Sequence, residues 1–203
     1  MELLALILYI IAIVFSIVLH EVAHGLVANS MGDDTARNAG RLTLNPLKHI
    51  DPIGSILLPL ITWQFGFIFG YAKPVPYDPY NLNDRKYGPM KVALAGPLSN
   101  IALAILFGVV LRVLPQNIAA TEFAHLLLNI VKLNIGLAVF NLVPIPPLDG
   151  HWILFALLPR AFDSFKSFLV RYSMPILIVF ILFLFEYLMP LILFLVRVIV
   201  GHG

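Results

Sequence analysis

Four apolar tracts dominate this chain: residues 3–19, 92–111, 123–143 and 172–200. The first two carry no charged residue, the third only Lys132, and the fourth Glu186 and Arg197. A bilayer core needs about twenty apolar residues per helical crossing, and the first tract reaches that length with the turns that follow it. Backbone at that depth must satisfy its own hydrogen bonds, so such tracts fold as helices packed on one another. Of the 203 residues 60% are hydrophobic and 12% charged, which excludes a disordered chain and disfavours an ordinary soluble domain. The longest polar stretches, roughly residues 29–51 and 71–91, fall short of the ~50 residues of a small domain. The expectation is an all-α polytopic membrane protein with about four to six transmembrane helices. It reads as a single domain over 1–203, with a core at about 3–158 and a C-terminal helical tract at about 172–200.

Charge and cysteine content narrow the chemistry. The net charge of +2 is too small for a nucleic-acid footprint. The chain has no Cys, so a metal would have to be held by His and carboxylates. Residues 3–19 differ from a signal peptide in having Glu2 and no Lys or Arg ahead of them, and no small-residue cleavage site after them, so they are read as a retained first helix.

Between the first two spans the pattern is less regular. Residues 40–44 alternate in polarity and suggest a short strand. Asp51-Pro52 reads as a helix start, with Asp as the cap and Pro in the first turn. Residues 53–71 hold Pro59, Gly66 and Gly70, and the second half is aromatic and β-prone. Lys and Arg cluster in the connectors 29–51, 71–91 and 159–171, with Arg112, Lys132 and Arg197 as exceptions. Placing all three connectors in the cytoplasm requires 53–71 to enter and leave the membrane on one side, as a re-entrant element. A true span there would flip the later helices.

His20-Glu21-Val22-Ala23-His24 is the pattern H-E-x-x-H. On a helix, residues four apart share a face one turn from each other. His20 and His24 are thus placed to grip one zinc ion, with Glu21 as general base toward the water it activates. Three ionisable side chains in a membrane helix are costly and point to function. His20 lies about 25 Å along the helix from Leu3, toward the inner leaflet. A catalytic zinc takes three protein ligands and keeps one position open. Asp149 is the best third ligand, because it follows the break at Pro144-Ile145-Pro146-Pro147 at the end of a hydrophobic span. The bland alternative is that Asp149-Gly150 is simply a turn.

His20-Glu21-Val22-Ala23-His24-Gly25 together with Asn141-Leu142-Val143-Pro144-Ile145-Pro146-Pro147-Leu148-Asp149-Gly150 resembles the site-2 protease family of intramembrane zinc metalloproteases. The segments from Gly40 to Pro52, Tyr71-Ala72-Lys73-Pro74-Val75-Pro76 and Ala95-Gly96-Pro97-Leu98-Ser99-Asn100 are similar to the compact prokaryotic subgroup. The resemblance covers roughly residues 12–158. It implies one zinc per chain on His20, His24 and Asp149, Glu21 as the catalytic base, and Asn141 holding substrate backbone or the tetrahedral intermediate. It also implies a transmembrane protein substrate, usually shortened beforehand by another protease. The location it implies is the cell (inner) membrane, with the active site toward the cytoplasmic leaflet. Many members carry a PDZ or CBS domain, for which the 203 residues leave no room.

A substrate helix has every carbonyl tied up and must unwind before attack. An extended edge, from residues 40–44 or from the aromatic half of 53–71, is expected to hold the unwound strand by β-addition. The competing reading is a membrane metal-binding or transport protein using the same His and Asp ligands, although no inverted repeat is visible. Several polar residues in the spans stay open between roles. Asn129, Lys132, Asn134 and Gly136 either line a water path or bond between helices. Gly96 and Asn100 read as close helix packing, and His151 as a substitution tolerated beside Asp149.

Overall fold

The computed structural model describes residues 3–64, 70, 72–115 and 121–201. Four of its helices are long and apolar enough to cross a membrane: α1 (Leu3–Ser30), α2 (Gly88–Val113), α3 (Glu122–Asn141) and, after the short helices α4 (Gly150–Leu157) and α5 (Asp163–Arg171), α6 (Ser173–Val200). The protein is thus an all-α polytopic membrane protein, at the lower end of the expected four to six spans.

The boundaries have local causes. Pro89 sits in the first turn of α2, where its missing N–H costs nothing. α3 stops at Asn141 because three of the six residues that follow are proline, and Pro146–Pro147 is a cis bond. The last tract is one irregular helical run. It widens to a π-type turn at Phe180–Leu184 and tightens to 3-10 at Phe185–Leu188, just ahead of Pro190, which cannot donate to the carbonyl one turn earlier.

α1, α2 and α3 pack against one another, and α6 closes on α2 and α3 through Ala104, Val131, Ile135, Ile192 and Val196. Lipid tails are as apolar as leucine, so packing and hydrogen bonds, not water exclusion, hold these helices together. The outer faces of α1 and α6 are largely exposed Leu, Ile, Val and Phe, as a lipid-facing surface requires. Arg112 donates to the Val198 carbonyl, so α2 and α6 end on the same side, opposite the end of α1.

One expectation for the first connector changes, and another holds. Residues 40–44 do not form a strand, and no strand occurs among the described residues. Gly40 is in the left-handed region at φ 62°, Asn45 caps a short turn at Pro46–Lys48, and no neighbouring chain pairs with the segment. Asp51 does cap a helix, accepting from the Ile53 and Gly54 amides, with Pro52 in the first turn. That helix is a π-type turn, Pro52–Leu57, continued by Leu58–Trp63. At about 1.5 Å per residue its twelve residues reach roughly 18 Å, well short of a ~30 Å hydrocarbon core. The aromatic half of 53–71 lies mostly outside the described residues.

The end of α1 is fastened to the second connector by one buried carboxylate. Asp33 is fully buried and accepts from Thr35 N and Oγ1, Asn81 Nδ2 and Asp78 N. Burial alone would raise its pKa, but the hydrogen bonds from Thr35, Asn81 and Asp78 outweigh that and hold it below the usual carboxylate value. Asp33→Asn turns one acceptor into a donor facing another donor. It should cost about 3 kcal/mol in thermal unfolding of the detergent-solubilised chain at pH 7. Because the folded-state pKa is depressed, the difference from wild type should persist at neutral pH and close as the pH falls below about 4.

Candidate metal centre

The H-E-x-x-H residues lie where α1 is buried against α2. His20 Nε2 and His24 Nε2 are 3.1 Å apart. The loop after α3 brings Asp149 Oδ2 to 3.1 Å from the first and 3.4 Å from the second. Among the described residues this is the group of His, Asp and Glu able to share one ion.

The spacing fits zinc. Bonds of 2.0–2.1 Å at tetrahedral angles place ligand atoms about 3.3 Å apart. The hydrogen-bond pattern fits as well. The His24 Nδ1 atom is 2.7 Å from the Val92 carbonyl, which can only accept, so Nδ1 carries the proton and the Nε2 lone pair faces inward. His20 donates Nδ1–H to Asn100 Oδ1 at 2.6 Å, which fixes the same tautomer. Two lone pairs and a carboxylate oxygen then converge, and repel one another unless a cation stands between them. Asp149 Oδ2 is buried with no hydrogen-bond partner, as a ligand oxygen would be.

The Asn100 orientation is itself fixed. Its Nδ2 donates to Asn134 Oδ1 at 2.9 Å and toward the Ser16 carbonyl at 3.4 Å. Asn134 Nδ2 donates in turn to Ser16 Oγ and the Ile130 carbonyl. A continuous buried chain thus runs from α3 through α2 to His20 on α1. Asn134 is an interhelical bond and not a water-path lining. Asn100 does more than pack, since it orients an imidazole.

Three glycines permit the close approaches. A Cβ on Gly96 would lie 2.5 Å from His24 Nε2 and 2.6 Å from His20 Nε2, so α2 can meet the imidazoles only without a side chain there. A Cβ on Gly150 would run into the Leu142 and Val143 carbonyls, and this tight return is what aims Asp149 back at α1. A Cβ on Gly25 would meet Val75 Cγ1 at 2.7 Å and Leu42 Cδ2 at 2.6 Å, where the second connector crosses the motif.

That crossing reaches Glu21. The partly buried Glu21 accepts the Val75 N–H on Oε2 at 2.9 Å. This contact had no sequence signal, because a backbone amide carries none. Pro74 and Pro76 on either side keep the segment extended and leave Val75 as its local donor. Tyr77, two residues on, has a buried hydroxyl without a partner. Burial, and after it the charge of Asp149, push that hydroxyl above its ordinary pKa, so it stays a proton donor.

The remaining candidates fall outside the ligand group. Asn141 Nδ2 donates to the Leu137 carbonyl in its own helix and makes no hydrogen bond to His20, His24 or Asp149 among the described residues. His151 donates to the Leu148 carbonyl and packs on Trp152 and Phe155. It is placed to brace the turn and does not compete for the ion.

Residues 111–184 match peptidase family M50. YwhC of Bacillus subtilis, provisionally named a zinc metalloprotease, is 38% identical over 157 residues, 74% of this chain and 68% of that protein. Rip2 of Mycolicibacterium smegmatis, with the same provisional name, is 33% identical over 148 residues, 73% of this chain and 56% of that protein. The zinc metalloprotease MJ0392 of Methanocaldococcus jannaschii is 33% identical over 119 residues, 58% of this chain and 34% of that protein. This chain therefore spans about two thirds of the Bacillus relative and little more than half of the mycobacterial one. No solved structure matches it.

Substituting Asn100 by Leu leaves His20 Nδ1–H buried without an acceptor. Zinc affinity of the purified protein, read by chelator competition, should fall about 10- to 100-fold. Gly96→Ala should abolish stoichiometric zinc altogether, because the methyl group enters the ligand position.

Proposed function

This chain belongs to peptidase family M50, the site-2 proteases, and we propose that it is a multi-pass zinc metalloendopeptidase that cuts peptide bonds in or near transmembrane segments of other membrane proteins. The observation that carries this reading is the three-ligand group, built on a membrane-length helix beside Glu21. A site with three protein ligands keeps a position open for chemistry, where a purely structural zinc would be closed by four.

In this reading His20, His24 and Asp149 hold one zinc. When bound, zinc acidifies a water molecule and polarises a peptide carbonyl. Glu21 takes the proton on its carboxylate and returns it to the leaving amine nitrogen. The Val75 amide keeps Oε2 engaged, so the other oxygen is left for proton transfer and the side chain does not swing away from the site. Val92 and Asn100 hold the two imidazoles in the ligating tautomer throughout. Asn141, whose amide is spent on Leu137 in the resting arrangement, would have to turn out of its helix to hold substrate backbone.

The placement of the ligand group in the helical bundle supports the substrate class. The ligands sit within the bundle and not on a solvent-facing domain, so the substrate is expected to be a transmembrane helix that unwinds locally, already shortened by another protease. The bilayer is the other partner. Lys and Arg placement supports a cytoplasmic location for the end of α1. All but Arg112, Lys132 and Arg197 lie in the connectors at that end, and excess Lys and Arg mark cytoplasmic loops. This supports an active site toward the cytoplasmic leaflet of a cell membrane.

Glu21→Gln separates this reading from metal transport. In proteoliposomes with truncated single-span reporter substrates, the variant should retain zinc and lose cleavage by a factor of about 10²–10⁴. Undiminished cleavage in Glu21→Gln, or zinc flux across the vesicle with no cleavage in the wild type, would overturn the proposal.

A further inference from the structure

A second site lies on the connector side of the protein, outside the metal centre. The first connector and the extended segment after residue 72 line an open pocket of about 520 Å³. Arg41, Lys48 and Lys73 line it together with Leu47 and Ile50. Arg41 is only 7% exposed. Its Nη2 donates to the Lys73 carbonyl at 2.7 Å and toward that of Pro74 at 3.4 Å, while its Nε is buried with no partner. Among the described residues no carboxylate forms an ion pair with Arg41, Lys48 or Lys73. Elsewhere on the surface, lysines do find acids: Lys91 pairs with Asp84 and Lys166 with Asp163. A nearly buried guanidinium without counter-charge, beside two lysines, is costly unless an anion completes it.

The rim identifies the kind of anion. Of the lining residues Leu47 is 74% exposed and Ile50 41%, and their near neighbours in sequence Leu44 and Ile53 are exposed as well. The chain then enters the apolar helix Pro52–Trp63. A soluble phosphate compound would leave these leucines and isoleucines in water. A phospholipid would cover them with its acyl chains while its phosphate met the cations. The site also lies at the end of α1, where the bundle leaves the hydrocarbon region. Three cations select against a headgroup that brings its own ammonium.

We propose that Arg41, Lys48 and Lys73 form a headgroup site for an anionic phospholipid of the phosphatidylglycerol type, with the acyl chains lying on Leu47 and Ile50. The site needs neither zinc nor proteolysis. It is nonetheless connected to the metal centre, because the Lys73–Pro74 backbone held by Arg41 runs directly into Val75, whose N–H holds Glu21.

Native mass spectrometry of the full chain released from detergent tests this with three probes: phosphatidylglycerol, phosphatidylcholine and inorganic phosphate. The wild type should retain one phosphatidylglycerol. The double variant Lys48→Gln/Lys73→Gln should retain it at least about tenfold less well, and phosphatidylcholine should not be retained by either. Both lysines are exposed, so the variant should fold, and unchanged zinc content verifies that it has. Equal phosphatidylglycerol binding in the double variant would overturn the assignment of the site. Equal retention of phosphatidylcholine would overturn the charge argument. Displacement of the lipid by millimolar inorganic phosphate would show a free-anion site and overturn the lipid identity.

Discussion

The packing of α1, α2 and α3 is arranged around two buried imidazole N–H groups. In lipid, an unsatisfied buried donor costs several kcal/mol, and α1 carries two of them four residues apart. Each finds an acceptor on α2: the Val92 carbonyl for His24 and the Asn100 side chain for His20. These two bonds fix the rotation of α1 against α2. Asn100 then needs its own partners, which come from Asn134 on α3 and Ser16 on α1, so α3 is fixed as well. The placement of three membrane helices and the tautomers of two histidines are thus one hydrogen-bond problem with one solution. Where apolar packing between helices is weakly discriminating, such a chain supplies the register.

Close approach is the second constraint. A hydrogen bond from His24 Nδ1 to a helix carbonyl demands that the backbones of α1 and α2 come near each other, and Gly96 is the residue that allows it. Gly150 does the same for the loop that returns Asp149. Both positions lack room for a Cβ for reasons tied to the ligand atoms or to the carbonyls that aim them. The small-residue pattern of membrane helices here serves the chemistry of the site as well as packing.

The parts legible in the sequence were those whose cause is local. Helical tracts follow from apolar length, the His20–His24 pair from a one-turn spacing, and the end of α3 from Pro144, Pro146 and Pro147. Asp149 could be singled out because it follows that break at the end of a span, while the two histidines call for a third ligand. Partners across helices were not legible. Asn100 and Asn134 are visible as polar residues in spans, but spacing along one helix does not say which residue faces them on another. The alternating residues 40–44 misled for the same reason, since polarity alternation describes a strand only if a neighbouring chain is there to pair with it. The role of Val75 was invisible, because its contribution is a backbone amide.

That amide explains why a polar connector sits against the catalytic motif at all. A carboxylate near membrane depth loses the water that would normally solvate it, and an unpaired charge there is expensive. Among the described residues no lysine or arginine forms an ion pair with Glu21. A neutral N–H donor satisfies one oxygen without bringing a charge. The prolines flanking Val75 keep the donor segment extended, and Arg41 anchors its carbonyls from outside. The connector therefore solvates Glu21 without counter-charge, in keeping with the role proposed for it.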